Sequence, residues 1–382
     1  MSIRRAGPVL ILVLLLVGCG EGEGLPTVAP SAEAQAPTAT AMASREAGAT
    51  LAPTATQTAT AGATPAHTPT VTMTATREPT ETPTSTATAS ATPTAQPTNT
   101  PNAALAAYPP LPLTPGDPQP YLERFTLVSF YGSAEGAGMG ILNFRETPQL
   151  LVELGERAAE YQRLLDESDQ PRKQVLPTFH VIVTIADPWF GEDGNFNHRA
   201  SPEAIESWLA LAEQEGIAVV LDVQPGHAPV QEEFELLRPY LRHPHVHLAI
   251  DSEYTMERTP SGLYEIPGEV LGSLYAAQIN PIQAQLEEIA LETGANKVLI
   301  LHQFEDEMLP DKENIVDYPH VELVIDSDGF GGPDKVRDYQ HYASEPGFEY
   351  GGFKLYRNWD NPLLSPAEVM GLAPPPAVVI YQ

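Results

Sequence analysis

The chain has 382 residues, 50 acidic against 20 basic side chains, a formal net charge of -30 and a single cysteine, Cys19. That charge excludes nucleic acid as a partner, because phosphate binding needs basic surface, and it repels anionic lipid as well. One cysteine excludes internal disulfides and a multi-thiolate metal site, so any folded part must hold together by packing.

In chain order, residues 1–18 come first. Arg4 and Arg5 precede the apolar run Val9 to Val17, which is too short for a comfortable membrane span and is followed by small residues. That pattern predicts an export signal. Its end, Leu16-Val17-Gly18-Cys19, resembles the lipobox of bacterial lipoproteins. The resemblance implies cleavage before Cys19 and lipidation of its thiol, which places the protein on the extracytoplasmic side of a membrane as a lipid-anchored chain. Residues 19–115 are rich in Thr, Pro, Ala and Ser, as in "TPTETPTSTATASATPTAQPTNTP". Such a segment has almost no large apolar side chains to offset its ordering entropy, and it reads as a tether open to O-glycosylation.

Residues 116–382 read as one domain of the length usual for an α/β barrel. Apolar runs of strand length recur at 126–131, 178–186, 217–223, 246–251, 297–303, 321–326, 352–356 and 377–381. Helical patterns separate most of them. Thr147-Pro148, Ser201-Pro202 and Asn280-Pro281 each predict a helix start, and Gly216 and Gly294 each predict a helix end. Alternating strands and helices predict a parallel sheet, and eight units predict closure into a (β/α)8 TIM-type barrel without the last helix.

In such barrels the chemistry stands where strands end. Tyr131 closes the first run; Asp222 and Gln224 stand at the third, Asp251, Glu253 and Tyr254 at the fourth, and His302 and Gln303 at the fifth. Asp326 and Asp328 follow at the sixth, and Lys354, Tyr356 and Trp359 at the seventh. Two carboxyls two positions apart on a strand share a face, so Asp251 and Glu253 should look into one space with Asp222. Crowded, shielded carboxyls split their pKa values, leaving one to protonate a leaving oxygen and another to attack or activate water, as glycoside hydrolysis requires. Glu253 is then the expected acid, Asp251 its partner, and Asp222 or Asp326 the base or nucleophile. Tyr131, His302, Gln303 and Lys354 are expected to bind substrate, with Tyr356 and Trp359 stacking on sugar rings.

The Asp-x-Glu of the fourth run resembles the acidic strand-end motif of the family 25 lysozymes and, more distantly, that of the chitinases. Tyr131 stands where those lysozymes carry an aspartate, and Lys354 where many retaining glycosidases carry a glutamate. Residues 121–382 also resemble an uncharacterised family of exported bacterial proteins, which implies no activity. The expected ligand is carbohydrate of the cell wall or surroundings, and a monomer is expected. No cofactor is required by this reading. A second reading has His302, Asp222, Asp251 and Asp326 binding a divalent metal for hydrolysis. A third is a carbohydrate-binding lipoprotein without catalysis. A fourth, a Schiff base on Lys354, requires a neutral amine among carboxylates. His245-Val246-His247 resembles the His-x-His of barrel amidohydrolases, yet it begins a strand and belongs at the other end of the barrel.

Overall fold

A computed structural model describes residues 113–382, apart from 137–138, 169–172, 192 and 258–261. The export signal, Cys19 and nearly all of the expected tether lie outside the described residues. Among the described residues no helix is long and apolar enough to cross a membrane.

The elements run β1 (Phe125–Ser133), α1 (Thr147–Glu167), β2 (Gln174–Ala186), β3 (Asn197–Arg199), α2 (Pro202–Glu215), β4 (Ala218–Val223) and α3 (Val230–Leu241). They continue with β5 (Val246–Asp251), α4 (Ala276–Thr293), β6 (Lys297–Gln303), β7 (Val321–Ser327), α5 (Gly332–Tyr342), β8 (Tyr350–Leu355), α6 (Pro366–Met370) and β9 (Val378–Tyr381). The eight long strands pair in parallel in the order β1-β9-β8-β7-β6-β5-β4-β2, and β1 pairs with β2 to close the ring. The fold is therefore the expected (β/α)8 barrel. Short β3 adds an antiparallel hairpin on the upper end of β2, pairing Thr184 with Arg199. Beside β9, α1 and α6 lie side by side, and the Tyr161 hydroxyl of α1 meets that of Tyr381 at 2.8 Å.

Two apolar cores follow from the period of two along each strand. One half of the strand residues packs outward against the helices, with Leu150, Leu154, Ala158, Tyr161 and Leu165 forming the buried stripe of α1. The other half fills the barrel with Leu127, Leu176, Val220, Ala249, Ile300, Val324 and Ile380 among others. Because both faces are buried, these strands read as continuous apolar runs.

Helix ends mostly obey local chemistry. Ser201 caps α2 by accepting from the Ala204 amide, and Gly216 and Gly294 end α2 and α4 with φ of 68° and 77°, where a Cβ would be strained. The start of α4 corrects the reading of Asn280-Pro281: the helix begins at Ala276, so both residues lie inside it. Asn280 cannot cap because its amide is drawn sideways, donating to the Asn314 carbonyl and accepting from the Val316 amide. The Asp311 carboxylate accepts from the Ala276 amide instead.

Residues before β1 strap the lower end of the barrel. The Gly116 amide bonds the Leu291 carbonyl, and the amides of Tyr121 and Leu122 both donate to buried Glu322, which also accepts from Asn296. Tyr121 packs on His247 at 4.4 Å between ring centroids, so the His-x-His pair lies at this lower end.

Candidate active site

The site starts from register. Asp251 of β5 pairs with His302 of β6, His302 with Asp326 of β7, and Asp326 with Gly352 of β8, so three neighbouring strands deliver Asp, His and Asp at one level. The fourth delivers no side chain. A Cβ on Gly352 would lie 2.7 Å from Asp326 Oδ1, so the glycine leaves the space that the carboxylate fills.

His302 is the hub. Its Nδ1 lies 3.1 Å from Asp326 Oδ2 and 3.1 Å from Asp328 Oδ2, and its Nε2 lies 3.5 Å from Asp222 Oδ2. Across the barrel, His180 of β2 brings its Nε2 to 3.3 Å from the same Asp222 oxygen. His180, Asp222, His302 and Asp326 are all fully buried, and none of their side-chain polar atoms completes a hydrogen bond of proper geometry. Burial alone would lower the His302 pKa, but Asp222 above all, with Asp326 and Asp328, holds it well above the ordinary imidazole range. The His180 pKa is pushed down by burial.

A second layer stands nearer the mouth. Asp328, two residues after Asp326, receives Lys354 Nζ at 3.0 Å on Oδ1 and the Tyr356 hydroxyl at 2.5 Å on the same oxygen. Lys354 also caps the face of Tyr131, 4.0 Å from the ring centroid, a favourable cation–π contact. Asp251 accepts from the Gln224 amide at 3.3 Å, while Gln224 accepts from the Ala186 amide. Burial raises Asp251 to about 7, with Asp328 and Asp222 adding to the rise.

Glu253 differs from its expected placement. The strand stops at Asp251, and Ser252–Tyr254 form a single 3-10 turn, so the two carboxyls are not same-face neighbours on a strand. Ser252 pins that turn by donating to the His302 carbonyl, and Asp251 caps it by accepting from the Glu253 amide. The long loop to α4 folds back onto the turn through the Gly272 amide and the Glu253 carbonyl at 2.7 Å, a closeness that only glycine permits, since a Cβ there would lie 2.5 Å from that oxygen. Half-buried Glu253 keeps its carboxyl within reach of the charges of Asp251, Asp328 and Lys354, and burial followed by those two carboxylates raises it to about 8.

Of the residues expected from the sequence, Asp222, Asp251, Glu253, Asp326, His302, Lys354, Tyr131 and Tyr356 therefore belong to one connected group. Asp222 and Asp326 lie in its fully buried floor, whereas Asp328 is 5% exposed and stands above them. Gln303 does not join: next to inward His302 it points to the helix side, and its amide is taken up by Lys312 and the Glu305 carbonyl. Trp359 stands on the rim, in ring contact with Phe330 at 5.6 Å, and Phe330 packs on Tyr356. On the loop between β2 and β3, Trp189 and Phe190 are exposed, with Phe190 against Tyr264. His180 was not expected. It lies in the middle of a 13-residue strand, where reading only strand ends passes over it.

The donor set also bears on metal binding. His180, Asp222 and His302 each offer a ligand atom within 4.8 Å of the others, as do His302, Asp326 and Asp328, and, on the exposed surface, Asp306, His341 and Glu345.

The fold and the placement of its polar groups define a (β/α)8-barrel protein with an ionisable cluster at the C-terminal mouth, the place where barrel enzymes carry their chemistry. No protein-family model matches the chain, and a search of the curated proteins found no match.

Proposed function

We propose that the chain is an exported, lipid-anchored hydrolase whose barrel mouth cleaves glycosidic bonds, with Glu253 as the general acid and Asp328 as the ionised carboxylate. The observation that carries this reading is the convergence of carboxyls from two strand ends: Glu253 beyond β5, and Asp328 beyond β7 salt-bridged to Lys354 at 3.0 Å. A carboxyl that keeps its proton near neutral pH can donate to a leaving oxygen, and a carboxylate bound by an ammonium and a phenol stays charged to attack or to polarise water. Asp251 reinforces the proton on Glu253 by its own charge. Exposed aromatic rings on loops beyond the strands, Trp189, Phe190, Phe330 and Trp359, supply flat apolar faces of the kind sugars stack on. Arg4, Arg5, the apolar run and Cys19 support export and lipidation.

Relative to the sequence reading, the proposed base or nucleophile moves from Asp222 or Asp326 to Asp328, because the first two are sealed in the floor. The test is a screen of the protein against cell-wall glycans and common polysaccharides, with Glu253→Gln and Asp328→Asn alongside. Release of reducing ends by wild type and its loss in both variants supports the reading. Binding without release by all three proteins makes the mouth a carbohydrate receptor. Release that survives Glu253→Gln but stops with a chelator makes the hydrolysis metal-dependent.

A further inference from the structure

The floor of the mouth holds groups that the proposed acid and carboxylate do not use. Asp222 and Asp326 are fully buried there, and among the described residues no ammonium touches either, Lys354 reaching only Asp328 above them. Buried carboxylates need compensating charge and filled hydrogen-bonding positions. Here neither oxygen of Asp222 and neither ring nitrogen of His180 or His302 completes a hydrogen bond, although Asp222 Oδ2 lies 3.3 Å from His180 Nε2 and 3.5 Å from His302 Nε2.

We propose that His180 Nε2, Asp222 Oδ2 and His302 Nε2 form a binding site for one divalent transition-metal ion in the floor of the barrel mouth. Three geometric facts carry this. First, two nitrogen or oxygen ligands at ~2.1 Å from a tetrahedral ion stand ~3.4 Å apart; Asp222 Oδ2 stands 3.3 Å from His180 Nε2 and 3.5 Å from His302 Nε2. Second, the far nitrogen of His302 lies 3.1 Å from both Asp326 and Asp328, the placement that supporting carboxylates take behind a metal-bound histidine, while its near nitrogen faces Asp222. Third, two histidines with one carboxylate suit zinc, manganese, iron or cobalt, and lack the many oxygens that calcium takes.

The alternative grouping of His302 with Asp326 and Asp328 fits less well. Asp328 already holds the Lys354 ammonium and the Tyr356 hydroxyl, and a dication would sit beside that ammonium. The surface group of Asp306, His341 and Glu345 is exposed to a large degree and has partners of its own, with Glu345 bound to Lys312. The proposed ion is independent of the glycosidase reading, since it sits under the acid and carboxylate rather than between them.

The experiment is metal analysis of the full chain purified without chelator, then stripped and titrated with Zn²⁺, Mn²⁺ and Co²⁺, following thermal unfolding and, for Co²⁺, the visible ligand-field bands. About one ion per chain, a higher melting temperature on adding it back, and Co²⁺ bands of an intensity typical of low coordination are expected. His180→Gln, at a residue that belongs to neither alternative group, should lose at least tenfold in affinity while His341→Ala keeps full binding. The proposal is overturned if no ion stabilises the stripped wild type and Co²⁺ gives no bands, or if folded His180→Gln binds the ion as tightly as wild type. Should His180→Gln fail to fold, Asp222→Asn takes its place, with loss of binding expected and undiminished binding overturning the proposal.

Discussion

Lys354 and Asp328 allow the charged layer to be tested as energy. Lys354 Nζ stands 3.0 Å from Asp328 Oδ1 and 3.2 Å from Oδ2, and both side chains are shielded from solvent. At an effective dielectric of about 20, unit charges at that distance attract by about 5 kcal/mol. Much of this offsets the cost of desolvating the pair, so removing both partners together should cost far less than removing one. Lys354→Met leaves a carboxylate buried without its ammonium and should destabilise the protein by about 3 to 5 kcal/mol, with the Met side chain retaining contact with Tyr131. Asp328→Asn should cost a similar amount, since it also weakens the contacts to His302 and Tyr356. The double variant should fall short of the sum of the singles by at least about 2 kcal/mol. Urea unfolding at one neutral pH, with equal slopes for all four proteins, gives the comparison. Additivity to within about 0.5 kcal/mol would refute the claim that the two charges are a coupled pair.

Glu253 supplies a pH signature. Its carboxyl is raised to about 8 in the fold against 4.5 when unfolded, so stability on this account is complete below the unfolded value and declines as pH rises towards the folded one. Glu253→Gln removes that decline: the variant should gain on wild type between about pH 5 and about pH 8, by at most about 4 kcal/mol, in urea midpoints across that range. Parallel pH profiles would sink the assignment. Gly352→Ala places a Cβ 2.7 Å from Asp326 Oδ1 and should cost about 1 to 3 kcal/mol through displacement of that carboxylate, whereas an unchanged unfolding midpoint would show the row is loosely packed. Glu322→Leu strips the acceptor from the Tyr121 and Leu122 amides and from Asn296, and should lower stability by about 3 kcal/mol while exposing residues before β1 to protease. Unaltered digestion in that variant would mean the strap is held by other contacts.

Much of the barrel could be read from the chain because parallel strands buried on two faces leave uninterrupted apolar runs such as "VVLDV" and "KVLILH". The floor and mouth were legible for the same reason, since Asp222, Asp251, His302 and Asp326 break those runs at their ends. What escaped depends on three-dimensional placement. His180 hides in mid-strand because β2 outlasts its neighbours and continues into the β3 hairpin. Whether Asp326 or Asp328 reaches the mouth is a matter of depth along the barrel, which strand tilt decides and a two-residue spacing does not. Asp251 and Glu253 share an environment, but by way of a 3-10 turn rather than the alternation of a strand. Asn280-Pro281 has the sequence of a helix start, but the Asn280 amide braces residues 314 and 316 instead.

The strap beneath the barrel gives the domain an energetic boundary that differs from its first strand. Glu322 lies 200 positions from Leu122, and a loop of that length closes late and at a large cost in chain entropy. During synthesis the strap emerges first and its acceptor on β7 much later, so the segment waits unanchored until most of the barrel exists. Its docking therefore reports completion of the sheet. Protection of residues 116–122 from hydrolysis or hydrogen exchange would serve as a clock for the last step of folding rather than the first.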